Sequence, residues 1–180
     1  MKKYTLAEYS NLLGKAYLLK ECRMTGAEAE TVEYLTFDSK KVTEGTLFIC
    51  KGAAFKTEYL EEAIHRGAIA YVSEKKYETE TEIPYLLVED IRSAMPALAE
   101  MFNNAPWKKL TIVGIGGTKG KSTSAYYMKA IVDDYMEATG GKESAILSSI
   151  DIYDGVIREE SSLTTPEAIE LQEHLRHAAD

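Results

Sequence analysis

The run Thr111-Ile112-Val113-Gly114-Ile115-Gly116-Gly117-Thr118-Lys119-Gly120-Lys121-Ser122-Thr123 restricts what this chain can become more than any other segment. A short β-branched apolar stretch enters a glycine-rich turn, which ends in Gly-Lys-Ser-Thr where a helical pattern opens. Strand, glycine loop and helix in that order build a phosphate cradle. The glycines let successive backbone N–H groups converge on an anion, and the first helical turn adds unpaired donors and its positive dipole end. In such a loop Lys121 supplies a point charge to the β- and γ-phosphates, and the hydroxyls of Ser122 and Thr123 are candidate ligands for Mg2+. Gly117, Thr118, Lys119 and Gly120 complete the candidate nucleotide-binding segment. The alternative is a glycine-rich turn that binds nothing, which leaves the Lys-Ser-Thr ending without a role. The expected function starts from a nucleoside triphosphate.

Composition sets the class of protein around that loop. The 45% hydrophobic and 28% charged residues are ordinary for a globular chain. A length of 180 residues gives room for one large domain, or a small domain and part of a second. The net charge of -8 argues against nucleic acid as a partner, because phosphate backbones select basic faces. Cys22 and Cys50 lack the spacing of a metal or redox motif and read as buried thiols in a reducing compartment. No long apolar core follows Lys2-Lys3, so no signal peptide is expected, and no stretch approaches the length of a membrane span. A cytoplasmic protein with no membrane partner is the expectation.

Thr5 is a candidate cap for a first helix carrying Leu6, Tyr9, Leu12 and Leu13, with Gly14 as its stop. Strand-like runs follow at Thr31–Phe37 and Thr46–Cys50, with Asp38-Ser39-Lys40-Lys41 as a polar turn between them. Glu58–Arg66 reads as a helix stopped by Gly67, and Ile69–Val72 and Tyr85–Val88 as two strands. Asp90 then caps a helix whose apolar stripe is Ile91, Met95, Leu98 and Phe102. This alternation predicts a layered α/β domain over residues 1–103. Asparagines and Pro106 mark residues 104–109 as a linker, with Trp107 as a packing anchor between two parts. Residues 110–180 run strand, phosphate loop, helix to about Glu137, glycine turn at Gly140-Gly141, and the run Ser144–Ile150. That order predicts the opening units of a mostly parallel sheet. Thr165-Pro166-Glu167 signals the start of a last helix that reaches Asp180 with no glycine stop, so the chain reads as the N-terminal piece of a longer enzyme.

The glycine loop fits Gly114-x-x-Gly117-Thr118-x-Gly120-Lys121-Ser122-Thr123, one residue longer than the generic phosphate loop. That pattern resembles the Mur ligase superfamily, ATP-dependent ligases that join amino acids to the cell-wall precursor and, in a cousin branch, glutamate to folates. Lys119 stands where the family usually has Asn. A second segment, Phe37-Asp38-Ser39-Lys40-Lys41-Val42 followed by Gly45-Thr46-Leu47-Phe48-Ile49 and Gly52, is similar to the Asp-Ser-Arg-x-Val and Gly-x-Leu-Phe pattern of the family's N-terminal domain. Lys40 there replaces the usual arginine and loses its flat two-pronged donor. A third, Leu163-Thr164-Thr165-Pro166-Glu167, resembles the Thr-Thr-Pro-Glu segment of the branch that adds the third peptide residue to UDP-MurNAc-L-Ala-D-Glu.

The resemblance implies a small N-terminal α/β domain that holds the UDP end of the substrate, followed by the start of a mostly parallel-sheet, ATP-binding domain, incomplete at Asp180. Phe37 and Ser39 then lie at the uridine, Ala53, Ala54 and Phe55 in the following substrate loop, and Thr164 and Thr165 near the muramoyl-peptide portion. Ala53 and Ala54 depart from the family, where a polar residue commonly follows the glycine at Gly52, and leave only backbone contacts. Thr165 suits a plain helix cap equally well, and Asp38-Ser39 a plain polar turn.

The implied chemistry is amide-bond formation driven by ATP with Mg2+. The γ-phosphoryl group passes to a substrate carboxylate, an amine attacks the acyl phosphate, and phosphate leaves from a tetrahedral intermediate. Such a step asks for cations and in-line positioning, with Lys121 as the catalytic residue of this segment. The expected substrates are a UDP-MurNAc-dipeptide and an amino acid, and the expected state is a monomer. The family's magnesium-binding glutamate, modified lysine and third domain would lie beyond Asp180, so no turnover is expected from the 180 residues alone. Two other readings stay open: a Mur-type ligase acting on folate or a poly-amino acid, and a non-catalytic nucleotide-binding paralogue.

Overall fold

The computed structural model describes residues 2–24, 26–161 and 166–180. They form two compact units, Met1–Asn104 and Ala105–Asp180. The first unit opens with α1 (Leu6–Lys15), whose start is a reciprocal cap. Glu8 N–H donates to the Thr5 hydroxyl at 3.3 Å, and Thr5 N–H donates to the Glu8 carboxylate at 2.8 Å. Leu6, Tyr9 and Leu13 are buried, and the helix runs through Gly14 to end one residue later.

The core of this unit is a five-stranded sheet in the order β1-β5-β4-β3-β2. Its strands are β1 (Leu19–Arg23), β2 (Tyr34–Thr36), β3 (Thr46–Ile49), β4 (Ala68–Ser73) and β5 (Tyr85–Val88). β2 to β5 are parallel, and β1 joins the far side of β5 antiparallel. Helices α2 (Thr57–His65) and α3 (Ile91–Phe102) connect or follow the parallel strands. Every residue of β3 and β5 is buried, as expected of parallel strands covered on both faces. Asp90 caps α3 by accepting from the N–H groups of Arg92 and Ser93. Gly67, at φ +103° after α2, lies where a Cβ would meet the Glu44 Cα at 2.8 Å. The chain therefore needs glycine there both for the backbone conformation and for the close approach of the β3 entry turn.

β1, Leu19–Arg23, carries no alternation of apolar and polar residues by which a sequence would announce a strand. Four of its five residues are exposed, as on an edge strand, so it carries no buried pattern to detect. Cys22 is accordingly exposed, which corrects the expectation that both thiols are buried. Cys50 is buried, and burial pushes its thiol far above the usual range.

The second unit begins with a 3-10 turn, Pro106–Lys109, followed by α4 (Lys121–Thr139), β6 (Ile146–Leu147), β7 (Asp151–Tyr153), β8 (Arg158–Glu160) and α5 (Ala168–Ala179). α4 ends at Gly140 in the left-handed conformation. The Lys129 ammonium ties α4 to the following turn, donating to Asp133 at 2.6 Å, Glu143 at 2.9 Å and the Ser144 carbonyl at 2.7 Å. Three element-level expectations change here. Thr111–Ile115 forms no strand, because no strand among the described residues pairs with it, and Ile112 and Val113 are 56% and 58% exposed. The run around Ile146 pairs antiparallel with β7, giving the meander β6-β7-β8. α5 begins at Ala168, with Glu167 before it and Pro166 outside the helix; Thr164 and Thr165 lie outside the described residues. No helix of the described residues is long and apolar enough to cross a membrane.

Candidate functional site

In an open parallel sheet, ligands bind outside the carboxyl ends of the strands. The segments singled out for the substrate follow those ends. Beyond β2 come Phe37, Asp38 and a 3-10 turn, Ser39–Lys41. The Asp38 carboxylate accepts from Lys40 N–H at 2.9 Å and fixes the turn, while the Thr36 hydroxyl accepts from Asp38 N–H at 3.1 Å. Beyond β3, Lys51 leads into Gly52, which stands at φ +101°. The Lys51 ammonium sits 4.7 Å from the Phe37 ring centroid, so the two loops meet as a cation over an aromatic face.

Ser39 is buried, and its hydroxyl donates to the Glu62 carboxylate on α2 at 2.6 Å. Glu62 also accepts from Arg66 at 3.1 Å and 3.0 Å. The Ser39 bond, followed by Arg66, holds its carboxyl below the ordinary range. Ala53 and Ala54 are exposed. Phe55 instead turns into the core, with ring centroids 6.2 Å from Phe48, 5.9 Å from Tyr59 and 5.3 Å from Tyr77. The structure thus joins Phe37 with Lys51 and anchors Ser39 on Glu62, while it gives Phe55 a packing role. Neither Lys51 nor Glu62 carried a sequence signal, because each acquires its partner through the sheet and helix arrangement.

In the second unit the glycine loop is open. Gly117 stands at φ +147° and Gly120 at φ +77°, and nothing lies within 4 Å of a Cβ built at Gly114, Gly116 or Gly120. Gly120 is the N-cap of α4 and provides no side-chain cap, so the first-turn N–H groups have neither a cap nor an intrahelical acceptor. This left-handed glycine aims those donors and the positive end of a 19-residue helix at the loop. An anion fits such a cradle. The Lys121 ammonium folds back to donate to the Gly117 carbonyl at 2.8 Å, and the Ser122 and Ser149 hydroxyls pair at 3.2 Å. Thr118, Lys119 and Thr123 are exposed. Ser149, in the turn between β6 and β7, has no sequence signal, because a two-residue strand gives no periodicity to place it.

No family model matches the chain. The chain is 39% identical over 188 residues to the UDP-N-acetylmuramyl-tripeptide synthetase of Bifidobacterium longum, covering 98% of this chain and 35% of that protein. It is 43% identical over 145 residues to the UDP-N-acetylmuramoyl-L-alanyl-D-glutamate--L-lysine ligase of Streptococcus pneumoniae, covering 80% of this chain and 28% of that one. It spans about a third of the length of the first of these relatives. Among solved structures, a UDP-N-acetylmuramoyl-L-alanyl-D-glutamate--2,6-diaminopimelate ligase shares the fold, with a TM-score of 0.64 at 18% identity over 99% of this chain and 34% of that chain.

Proposed function

Because this chain belongs to the Mur ligase family, we propose that it takes part in ATP-dependent amide-bond formation on a peptidoglycan precursor. The step is addition of the third peptide residue to UDP-MurNAc-L-Ala-D-Glu in the cytoplasm. The 180 residues contribute two binding functions: the first unit receives the UDP portion, and the second receives ATP. The observation that carries the reading is the uncapped, glycine-led start of α4 with Lys121 lying across the loop.

With ATP bound, Lys121 would exchange the Gly117 carbonyl for the β- and γ-phosphates, and the first-turn N–H groups of α4 would donate to phosphate oxygens. Ser122 and Thr123 are the residues that would hold Mg2+, which neutralises charge as the phosphoryl group moves. Lys121 opposes the charge that collects as the γ-phosphoryl group passes to the substrate carboxylate. In the first unit, Phe37 and Lys51 offer a ring face and a cation to a base and its phosphates, and the Ser39 hydroxyl keeps acceptor capacity while donating to Glu62.

Calorimetry of the chain with ATP and, separately, with UDP-MurNAc-L-Ala-D-Glu tests the reading. Heat of binding is expected from each ligand, and Ser39→Ala should weaken the second by about 0.5–1.5 kcal/mol, the worth of one hydrogen bond. A folded chain giving no heat with either ligand at about 1 mM would reject it.

A further inference from the structure

The turn between β7 and β8 and the C-terminal half of α5 meet at three side chains that the proposed function does not use. Asp154 is completely buried in that turn. Its Oδ1 accepts the N–H groups of Val156 at 3.0 Å and Ile157 at 2.7 Å, which fixes the carboxylate plane. Its Oδ2 faces His174 Nδ1 at 2.7 Å and His177 Nδ1 at 2.8 Å. The two histidines are three residues apart on α5, so one helix face presents both rings. One donor atom from each of the three residues lies within 4.8 Å of the others, and among the described residues no other such group occurs.

We propose that Asp154, His174 and His177 form a binding site for a divalent transition-metal ion, zinc being the best match. Two imidazoles and a carboxylate are a borderline donor set that suits zinc and its neighbours, whereas Mg2+ prefers all-oxygen ligands. The backbone clamp on Oδ1 orients the third ligand in advance, as outer partners do in metal sites. Zinc bonds of about 2.0–2.2 Å place ligand atoms a little over 3 Å apart, so Oδ2 and the two rings must each yield by about half an ångström. The His177 side chain, 14% exposed, has the freedom to do so.

Loading the ion also requires each Nδ1 to present its lone pair. The proton of each neutral ring moves to Nε2, so no net proton is lost. Arg176 stands against this at one ring, because its guanidinium lies 3.2 Å from His177 Nε2 and can only donate there. It must swing away when Nε2 carries the proton. The ion would bind the hairpin to α5 in a unit whose buried aliphatic side chains, among the described residues, are Pro106, Ile146 and Ile152.

The test uses the untagged, metal-stripped chain without nucleotide. Titration with Zn2+ by calorimetry and with Co2+ by visible absorption should show one ion per chain, unaffected by excess Mg2+, with a melting temperature that rises with Zn2+. His174→Gln and His177→Gln should each lower affinity by about tenfold or more, with circular dichroism unchanged, and Arg176→Gln should keep or raise it. If His174→Gln fails to fold, the Co2+ spectrum of the native chain and the His177→Gln titration decide. No ion bound at about 0.1 mM Zn2+, or equal affinity in His177→Gln, overturns the proposal and leaves a purely hydrogen-bonded clasp.

Discussion

Lys119 in the glycine loop and Lys121 at the start of α4 stand two residues apart, and among the described residues only Lys121 has a hydrogen-bond partner for its ammonium. Its ammonium crosses the loop to the Gly117 carbonyl at 2.8 Å, where an anion would draw it, while Lys119 is exposed. Lys121→Ala should therefore weaken ATP binding to the chain by about tenfold or more, the worth of one charge-assisted contact. Lys119→Asn should leave it within about threefold, because an exposed charge beside the site is screened. Calorimetry of both variants checks this; the reverse ranking would move the phosphate contact to Lys119. Tyr9 offers a test of the core. Its hydroxyl is buried with no hydrogen-bond partner among the described residues, and burial pushes its pKa far above the usual range. Tyr9→Phe removes an unsatisfied polar group without changing the ring, so urea unfolding should show a gain of about 1 kcal/mol. A loss would mean that the hydroxyl does find a partner.

At the scale of elements, close approach governs the first unit and a single carboxylate governs the second. Gly67→Ala must place a side chain on a left-handed backbone and 2.8 Å from the Glu44 Cα, which cannot rotate away. The conformational cost alone is about 1–2 kcal/mol, and the clash adds to it, so chemical unfolding should show a loss above about 2 kcal/mol. Asp154 holds the β7–β8 turn and meets α5. Burial acts to raise its pKa, but the Ile157 N–H, the His174 ring, the Val156 N–H and the His177 ring together hold it well below the usual range. A carboxylate so depressed binds fewer protons when folded. Its stabilisation is complete above about pH 4 and is lost as pH falls through the folded-state value. Acid titration of metal-free protein should loosen α5 below about pH 4, and Asp154→Asn should flatten that dependence. These same elements show what a sequence discloses. The Thr5 and Asp90 caps, the Gly67 stop and the apolar run of β3 are local patterns, and the helices and strands they announce are present. β1 is polar because an edge strand buries little, and Thr111–Ile115 has strand-forming residues but, among the described residues, no strand to pair with. Phe55 reads as a loop residue until Phe48, Tyr59 and Tyr77 gather around it. The pairing of Asp154 with residues 20 and 23 positions later has no local signature, because tertiary folding alone creates it.

For the molecule as a whole, stability should be uneven. Residues 1–104 contain a five-stranded sheet whose β3, β4 and β5 are almost wholly buried. In residues 105–180, α4 buries no side chain, and Tyr127, Ile131 and Tyr135 along one of its faces are 70%, 71% and 67% exposed. Burial of apolar surface supplies most of the opposition to chain entropy, so the second unit has the smaller margin. Native-state hydrogen exchange should show α4 and the β6-β7-β8 meander opening at lower free energy than β3 to β5. The two ligands then give the experiment its direction. A ligand stabilises the state that binds it in proportion to the logarithm of its concentration over its dissociation constant. ATP should therefore slow exchange in the glycine loop and the first turns of α4, and UDP-MurNAc-L-Ala-D-Glu should slow it at Phe37–Lys41 and the Lys51–Ala54 turn. ATP protecting the β2 and β3 loops while leaving the start of α4 unchanged would show that the two binding functions had been assigned to the wrong units. Equal exchange in both units without ligand would instead mean that α4 is covered by association between chains, which a dependence on protein concentration would reveal.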